Sequence, residues 1–328
     1  MDVTIPSSPQ EARPTSIKKI IFKGKGNEFF SVYLLSIFLC IVTLGIYYPW
    51  ARVKILKYLY NETELEGSSF TFHGIGKEIF IGMLKALTML AVVFGIYILL
   101  LVYVNIFIAI LFYLVALIFI GPAAVVGSLK YRASRSSWRG IYFGYRGTYK
   151  SMFFILLKGL LLTIITFGIY GSWFTTSLYK EILKNLRMGN LTFNYRGQGE
   201  DLFVVNLKGI ILTYITLGIY FFKYQSDRYK YLMGNINLDL GGQTGKVKAT
   251  TTGFGIFKLA IGNLFIVLFS LGLAMPWAII RTINFYANNS LLESTINFDE
   301  ILQTETDRAS ATGEGLLDSL DALDIQVI

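Results

Sequence analysis

A five-residue phrase recurs along this chain. Thr43-Leu44-Gly45-Ile46-Tyr47 returns as Thr166-Phe167-Gly168-Ile169-Tyr170 and as Thr216-Leu217-Gly218-Ile219-Tyr220. Ser270-Leu271-Gly272-Leu273 is a worn copy, and Phe94-Gly95-Ile96-Tyr97 keeps the last four letters. Every copy ends a long apolar run, and basic sequence follows all but one directly. Self-similarity of this kind constrains the whole fold, because each unit needs its neighbours to bury its apolar face. Five units are expected, near 22–69, 70–142, 143–192, 193–250 and 251–300.

The apolar runs lie near 29–48, 79–98, 104–127, 152–172, 203–222 and 256–279. A bilayer crossing takes about 20 apolar residues. Charged residues make up only 16% of the chain, against about 25% in soluble domains. The expectation is therefore an all-α, multi-pass membrane protein with about six transmembrane helices and short interfacial helices and extended segments between them. A disordered polar leader (1–21), a transmembrane domain (22–300) and an acidic tail (301–328) complete the organisation.

Gly45 and Pro49 give the phrase a mechanical meaning. Glycine takes positive φ and ends a helix, while proline suits the first turn of a new one. Gly45, Tyr47, Pro49 and Trp50 should thus break one helix and start the next at the water–lipid boundary, where amphipathic rings are favoured. Gly168 with Trp173, Gly218, and Gly272 with Pro276 and Trp277 mark the same place in later units. The bases that follow, Arg52, Lys54 and Lys57, and Lys130 and Arg132, are candidates for headgroup contact. Residues 49–70 also align with 122–143 at a constant offset, placing Pro49 on Pro122 and Gly67 on Gly140.

The stretch Thr-Leu-Gly-Ile-Tyr-Tyr-Pro-Trp-Ala-Arg, followed by Lys57-Tyr58, Asn61-x-Thr63 and Gly67-x-x-Phe70, resembles the YjgN-like family of bacterial inner-membrane proteins, a domain of unknown function. The resemblance covers about 22–300 and is best in the first unit. It implies a multi-pass inner-membrane location and brings no activity. Later copies depart from the pattern: Gly171-Ser172 replaces Tyr-Pro, and Phe221-Phe222-Lys223 replaces Tyr-Pro-Trp.

Lys85, Lys158 and Lys208 each stand ten residues before the glycine of their phrase. A lysine at a helix centre costs roughly 2.5–3.5 kcal/mol on insertion scales. They either snorkel to an interface or meet an anion in a shared cavity. Catalytic signatures are missing. Cys40 is the only cysteine and His73 the only histidine, so a multi-histidine metal site is excluded, and neither an enzyme nor a bound cofactor is expected. Gly242-Gln243-Thr244-Gly245-Lys246-Val247 lacks phosphate-loop spacing. Gly74-Ile75-Gly76 and Gly197-Gln198-Gly199 read as turns, with lipid phosphate as the alternative guest of their N–H groups.

Net charge is +9. Nine acids and one base fall in 282–328, so the remainder is strongly basic and suited to anionic headgroups. Those bases flank apolar spans, which argues against nucleic acid. Leu316, Leu320 and Leu323 share a helical face in the tail, a candidate contact for a protein partner. Two functions follow: a transporter-like or lipid-interacting membrane protein, or a scaffold that holds anionic lipid through its basic helices and a partner through the tail. Loop 128–151, with six bases and no acid, is expected in the cytoplasm. A cytoplasmic N-terminus then requires a re-entrant first segment.

Overall fold

The computed structural model describes residues 15–304; the Leu316–Leu323 face and most of the leader and tail lie outside them. The described chain runs as five strand–helix–helix–strand segments. These are β1 (Ser16–Phe22), α1 (Gly26–Val42), α2 (Tyr48–Asn61) and β2 (Thr63–Leu65); then β3 (Ser68–Phe72), α3 (Gly76–Tyr103), α4 (Ile106–Ser134) and β4 (Ser136–Trp138). The third holds β5 (Ile141–Tyr145), α5 (Tyr149–Ile165), α6 (Gly171–Asn185) and β6 (Leu186–Met188), and the fourth β7 (Leu191–Tyr195), α7 (Gly199–Ile215), α8 (Phe221–Gly234) and β8 (Ile236–Leu240). The last holds β9 (Gln243–Ala249), α9 (Gly253–Phe269), α10 (Met275–Asn288) and β10 (Ser290–Ser294).

The ten strands close into an antiparallel barrel, with β1 between β10 and β2. Two-residue hairpins join neighbouring segments. In Glu66-Gly67, Arg139-Gly140 and Gly241-Gly242 both residues have positive φ, as the twist of such tight hairpins demands. The other strand ends lead into the helices. Each helix packs on the next in sequence, and α10 packs on α1. A closed ring of helical hairpins therefore stands on one end of the barrel.

The barrel is filled. Leu65, Trp138, Met188, Leu191, Leu238 and Leu292 form its buried core. The segment after β10 seals the end remote from the helices. Ile296, Phe298 and Ile301 are each at most 4% exposed and join that core, with Phe298 edge-on to Trp138 at 5.6 Å. The polar groups of this strap meet the hairpin turns. Asn190 N–H donates to the Leu302 carbonyl at 3.0 Å, Leu302 N–H to Asn190 Oδ1 at 2.8 Å, and Asn297 N–H to Gln243 Oε1 at 2.7 Å. Small satellite cores, such as Phe22 with Phe29 and Ile280, and Tyr195 with Leu202 and Leu232, tie the barrel rim to the helices.

The all-α reading with six transmembrane helices is wrong, and the barrel overturns it. Strands of three to five residues leave little periodic signal, so β2, β4 and β6 were invisible between helices. The span count failed for a second reason. Runs 29–48, 152–172, 203–222 and 256–279 each continue through a helix end into the following turn. The helices themselves, α1, α5, α7 and α9, have 17 residues and rise about 25 Å, short of the roughly 30 Å hydrocarbon core. Only α3 and α4, with 28 and 29 residues, are long and apolar enough among the described residues to cross a membrane. In α4 the helix continues through Pro122, so the proline aligned with Pro49 breaks nothing.

Candidate functional site: hairpin tips and the seams between units

The recurring phrase forms the tips of the four shorter hairpins. At each tip a bulky residue and its glycine both adopt positive φ: Leu44 with Gly45, Phe167 with Gly168, Leu217 with Gly218, Leu271 with Gly272. The Gly45 N–H reaches back to the Cys40 carbonyl at 2.7 Å, the six-to-one closure of a Schellman turn. The preceding hydroxyl ties the turn to the returning helix. Thr43 Oγ1 donates to the Leu39 carbonyl and accepts from Tyr47 N–H, and Thr166, Thr216 and Ser270 repeat this.

A left-handed conformation is costly for leucine or phenylalanine. Here it drives the side chain clear of the fold. Leu44, Phe167, Leu217 and Leu271 are 93%, 98%, 95% and 92% exposed. Four strained, apolar side chains thus stand bare at equivalent tips. Glycine and tyrosine are the conspicuous members of the phrase, yet the residue between threonine and glycine, always large and apolar, carries the signal.

Pro49 and Pro276 lie fully buried in the first turns of α2 and α10. The tryptophans that follow them, and Trp173 after Ser172 in α6, pack across the seams between units. Trp50 lies over Gly76, Trp173 over Gly199 and Trp277 over Gly26; a Cβ on those glycines would stand 2.4, 2.3 and 2.2 Å from the indole. Trp277 also joins the last unit to the first, with its Nε1 donating to Asn27 Oδ1 at 3.0 Å. The Gly-x-Gly turns are similarly occupied. A Cβ on Gly74 would meet the Phe72 ring and the Tyr131 hydroxyl, and one on Gly197 the Tyr195 ring.

The candidate cations are spread around the ring. Lys85, Lys158 and Lys208 are exposed on α3, α5 and α7, and the groove beside Lys158, about 240 Å³, is lined by α5, α6 and their connecting tip. The glycines after two of them draw each hairpin together, Gly159 by receiving the Phe174 ring and Gly209 by receiving the Tyr224 ring. Arg52, Lys54 and Arg132 are exposed, Lys57 and Lys130 half-buried, and Lys54 Nζ stands 5.4 Å over the Tyr47 ring.

The second unit carries a polar joint between barrel and helices. Arg135, buried, binds Glu78 through two nitrogens at 2.7 and 3.3 Å. His73 Nε2 lies 2.8 Å from Ser137 Oγ. His73 is exposed on one side, and partial desolvation on the other, with Lys57 and Arg135 nearby, holds the imidazole below its ordinary value. The unfolded imidazole, near 6.5, therefore takes up its proton first as pH falls. Stability present above about 6.5 declines on acidification until His73 also protonates. The melting temperature is expected to fall between pH 7.5 and 5.5, and to fall less in His73→Asn; equal slopes would rule out this joint as the source.

The chain matches the family described as bacterial proteins of unknown function, DUF898, over residues 18–196 and 241–319. It belongs to that family. Curated relatives carry the name inner membrane protein YjgN. The Salmonella typhimurium protein is 33% identical over 132 residues, 39% of this chain and 31% of the relative. The Escherichia coli K12 protein is 38% identical over 64 residues, 20% of this chain and 16% of the relative. The chain thus spans under a third of the curated relatives it matches, and it is a YjgN-like family protein. No solved structure matches it.

Proposed function

We propose that this DUF898 protein is an inner-membrane protein whose helix ring sits in the cytoplasmic leaflet, with the filled barrel on the cytoplasmic side. The observation that carries this reading is the set of four tip residues forced outward in left-handed conformations. Such strain persists where function uses it, and lipid is the solvent that rewards an exposed leucine. The lysines supply a depth scale. Lys158 and Lys208 each precede their tip residue by nine positions, about 14 Å along a helix axis and close to half of a roughly 30 Å hydrocarbon core. Lys85 precedes Val104, the end of α3, by 19 positions, about 28 Å. Lysines at the headgroups therefore put the Phe167 and Leu217 tips near the midplane, with Leu44 and Leu271, at the ends of helices of the same 17 residues, level with them, and the α3–α4 tip at the far surface, where Tyr103 is 80% exposed.

This arrangement also reconciles the charges. The bases of 128–151 and the N-terminal strand fall on the barrel side, as the positive-inside rule favours, and α1 is re-entrant. The apolar barrel core and its strap favour a lipid-interacting platform over a conduit. Single cysteines at Leu217 and Tyr103 in a Cys40→Ser background, carrying a fluorophore, test the depths. In nanodiscs the label at 217 should be quenched by lipids bearing a nitroxide near the chain end. In right-side-out vesicles Tyr103→Cys should react with an impermeant thiol reagent. Strong quenching at 217 by aqueous iodide would sink the reading.

A further inference from the structure

The five seams of the ring are not alike. At four of them the third residue of the returning helix lies against the first glycine of the next unit's helix, Lys223 meeting Gly253 through its backbone. Three carry tryptophan over glycine, as described, and each indole packs on a phenylalanine of the next helix: Trp50 on Phe80 at 5.2 Å, Trp173 on Phe203 at 5.3 Å, Trp277 on Phe30 at 4.9 Å. The seam between α4 and α5 is filled instead by stacked rings, Phe119 on Phe153 at 5.0 Å and Phe153 on Tyr149 at 6.0 Å. At the seam between α8 and α9 the third residue is Lys223. No indole fills it. A groove of about 690 Å³ remains, lined by Leu217, Ile219, Phe222, Lys223, Phe254 and Phe257.

We infer that this seam holds one membrane phospholipid, an acyl chain lying along Phe222, Phe254 and Phe257 and its phosphate on the Lys223 ammonium. The inference rests on the membrane reading above. The groove runs from a lipid-facing tip, Leu217 and Ile219, to a cation beside the first turn of α9. Its walls are otherwise apolar and aromatic, so it matches an amphiphile with an anionic end. Lys223 pairs with Asp227; an ammonium has three donors, and the pair leaves two for phosphate oxygens. Lys258 adds a second positive charge, its Nζ 4.5 Å over the Phe254 ring in the groove wall. The carboxylate of Asp227 beside this phosphate site fits the ammonium of a zwitterionic headgroup, so phosphatidylethanolamine is the expected guest.

The sister seams design the test. Protein purified in a mild detergent and washed to constant phosphorus is assayed for retained phospholipid by native mass spectrometry. Wild type should keep one phospholipid per chain. Lys223→Trp, which installs the side chain of the other seams, should lose it at least tenfold, and Lys223→Leu, which leaves the groove open, should also lose it. Lys246→Ala on the barrel wall removes a cation and should retain it. Inorganic phosphate at millimolar concentration should not displace the lipid. No retained lipid in wild type, undiminished retention in both Lys223 variants, or displacement by phosphate alone overturns the inference. Flotation with phosphatidylethanolamine–phosphatidylglycerol liposomes is measured beside it. A chain that floats but holds no lipid fails only here, whereas one that does not float fails the membrane reading itself.

Discussion

Replacing Ile296, Phe298 and Ile301 together by alanine is expected to open the barrel while the helix ring persists. Each side chain is almost fully buried against Leu65, Trp138 and their neighbours. Deleting one such group costs about 2–5 kcal/mol through lost transfer energy and the cavity left behind. Because the three share one core, their effects will not add simply, but a loss of about 6–10 kcal/mol rivals the whole stability of an ordinary domain. Amide hydrogen exchange reads the result where it matters: β4, β6 and β8 should lose protection while α3 and α4 keep theirs. Leu302→Ala provides the contrast, since Leu302 is 67% exposed and its carbonyl and N–H do the bonding. Retained strand protection in the triple variant would mean that the strap merely lies on a core complete without it.

The breaks between helices were legible in the sequence; the barrel and the number of membrane-length helices were not, for identifiable reasons. The tips were readable because the phrase sets a physical demand at two positions, a glycine at positive φ to end one helix and, in the first and last units, a proline to start the next; the hydroxyl that ties the turn is seen only in the structure. The same clarity misled the span count, since hydropathy continues smoothly through Leu44 and Ile46 although the helix ends at Val42. The strands were faint. β2, β4 and β6 have three residues each, too few for alternation to register, and they exist because a strand on either side completes their hydrogen bonds. A second regularity belongs to the seams: an aromatic, any residue, glycine, any residue, glycine recurs at Phe22–Gly26, Phe72–Gly76 and Tyr195–Gly199. The first glycine takes the aromatic ring and the second the neighbouring indole, so the pattern encodes the seams. The strap could not be read locally, because Ile296, Phe298 and Ile301 look like an ordinary apolar end until the barrel they close is in view.

Aspartate at all four tips, Leu44, Phe167, Leu217 and Leu271, should separate a protein seated in lipid from one bathed in water. These side chains touch almost nothing within the fold, so no packing is lost. Aspartate accepts the left-handed conformation more readily than leucine or phenylalanine, so in water the substitutions should be neutral or mildly stabilising. In a bilayer the balance reverses. Each aspartate near the midplane costs about 2.5–3.5 kcal/mol on insertion scales, and four cost roughly 10–14 kcal/mol less whatever the membrane recovers by thinning. The long α3–α4 hairpin carries none of the changes and should keep the chain attached. The variant is therefore expected to remain in the membrane fraction with its four short hairpins lifted out. Proteases added from the barrel side should then cut at the tips while leaving those of the wild type intact, and the melting temperature in nanodiscs should drop steeply. Melting in detergent, whose micelle adapts around a charge, should change far less. If the tips stay protected and the nanodisc melting temperature holds, the short hairpins do not enter lipid, and their strained leucines must be held for another apolar partner.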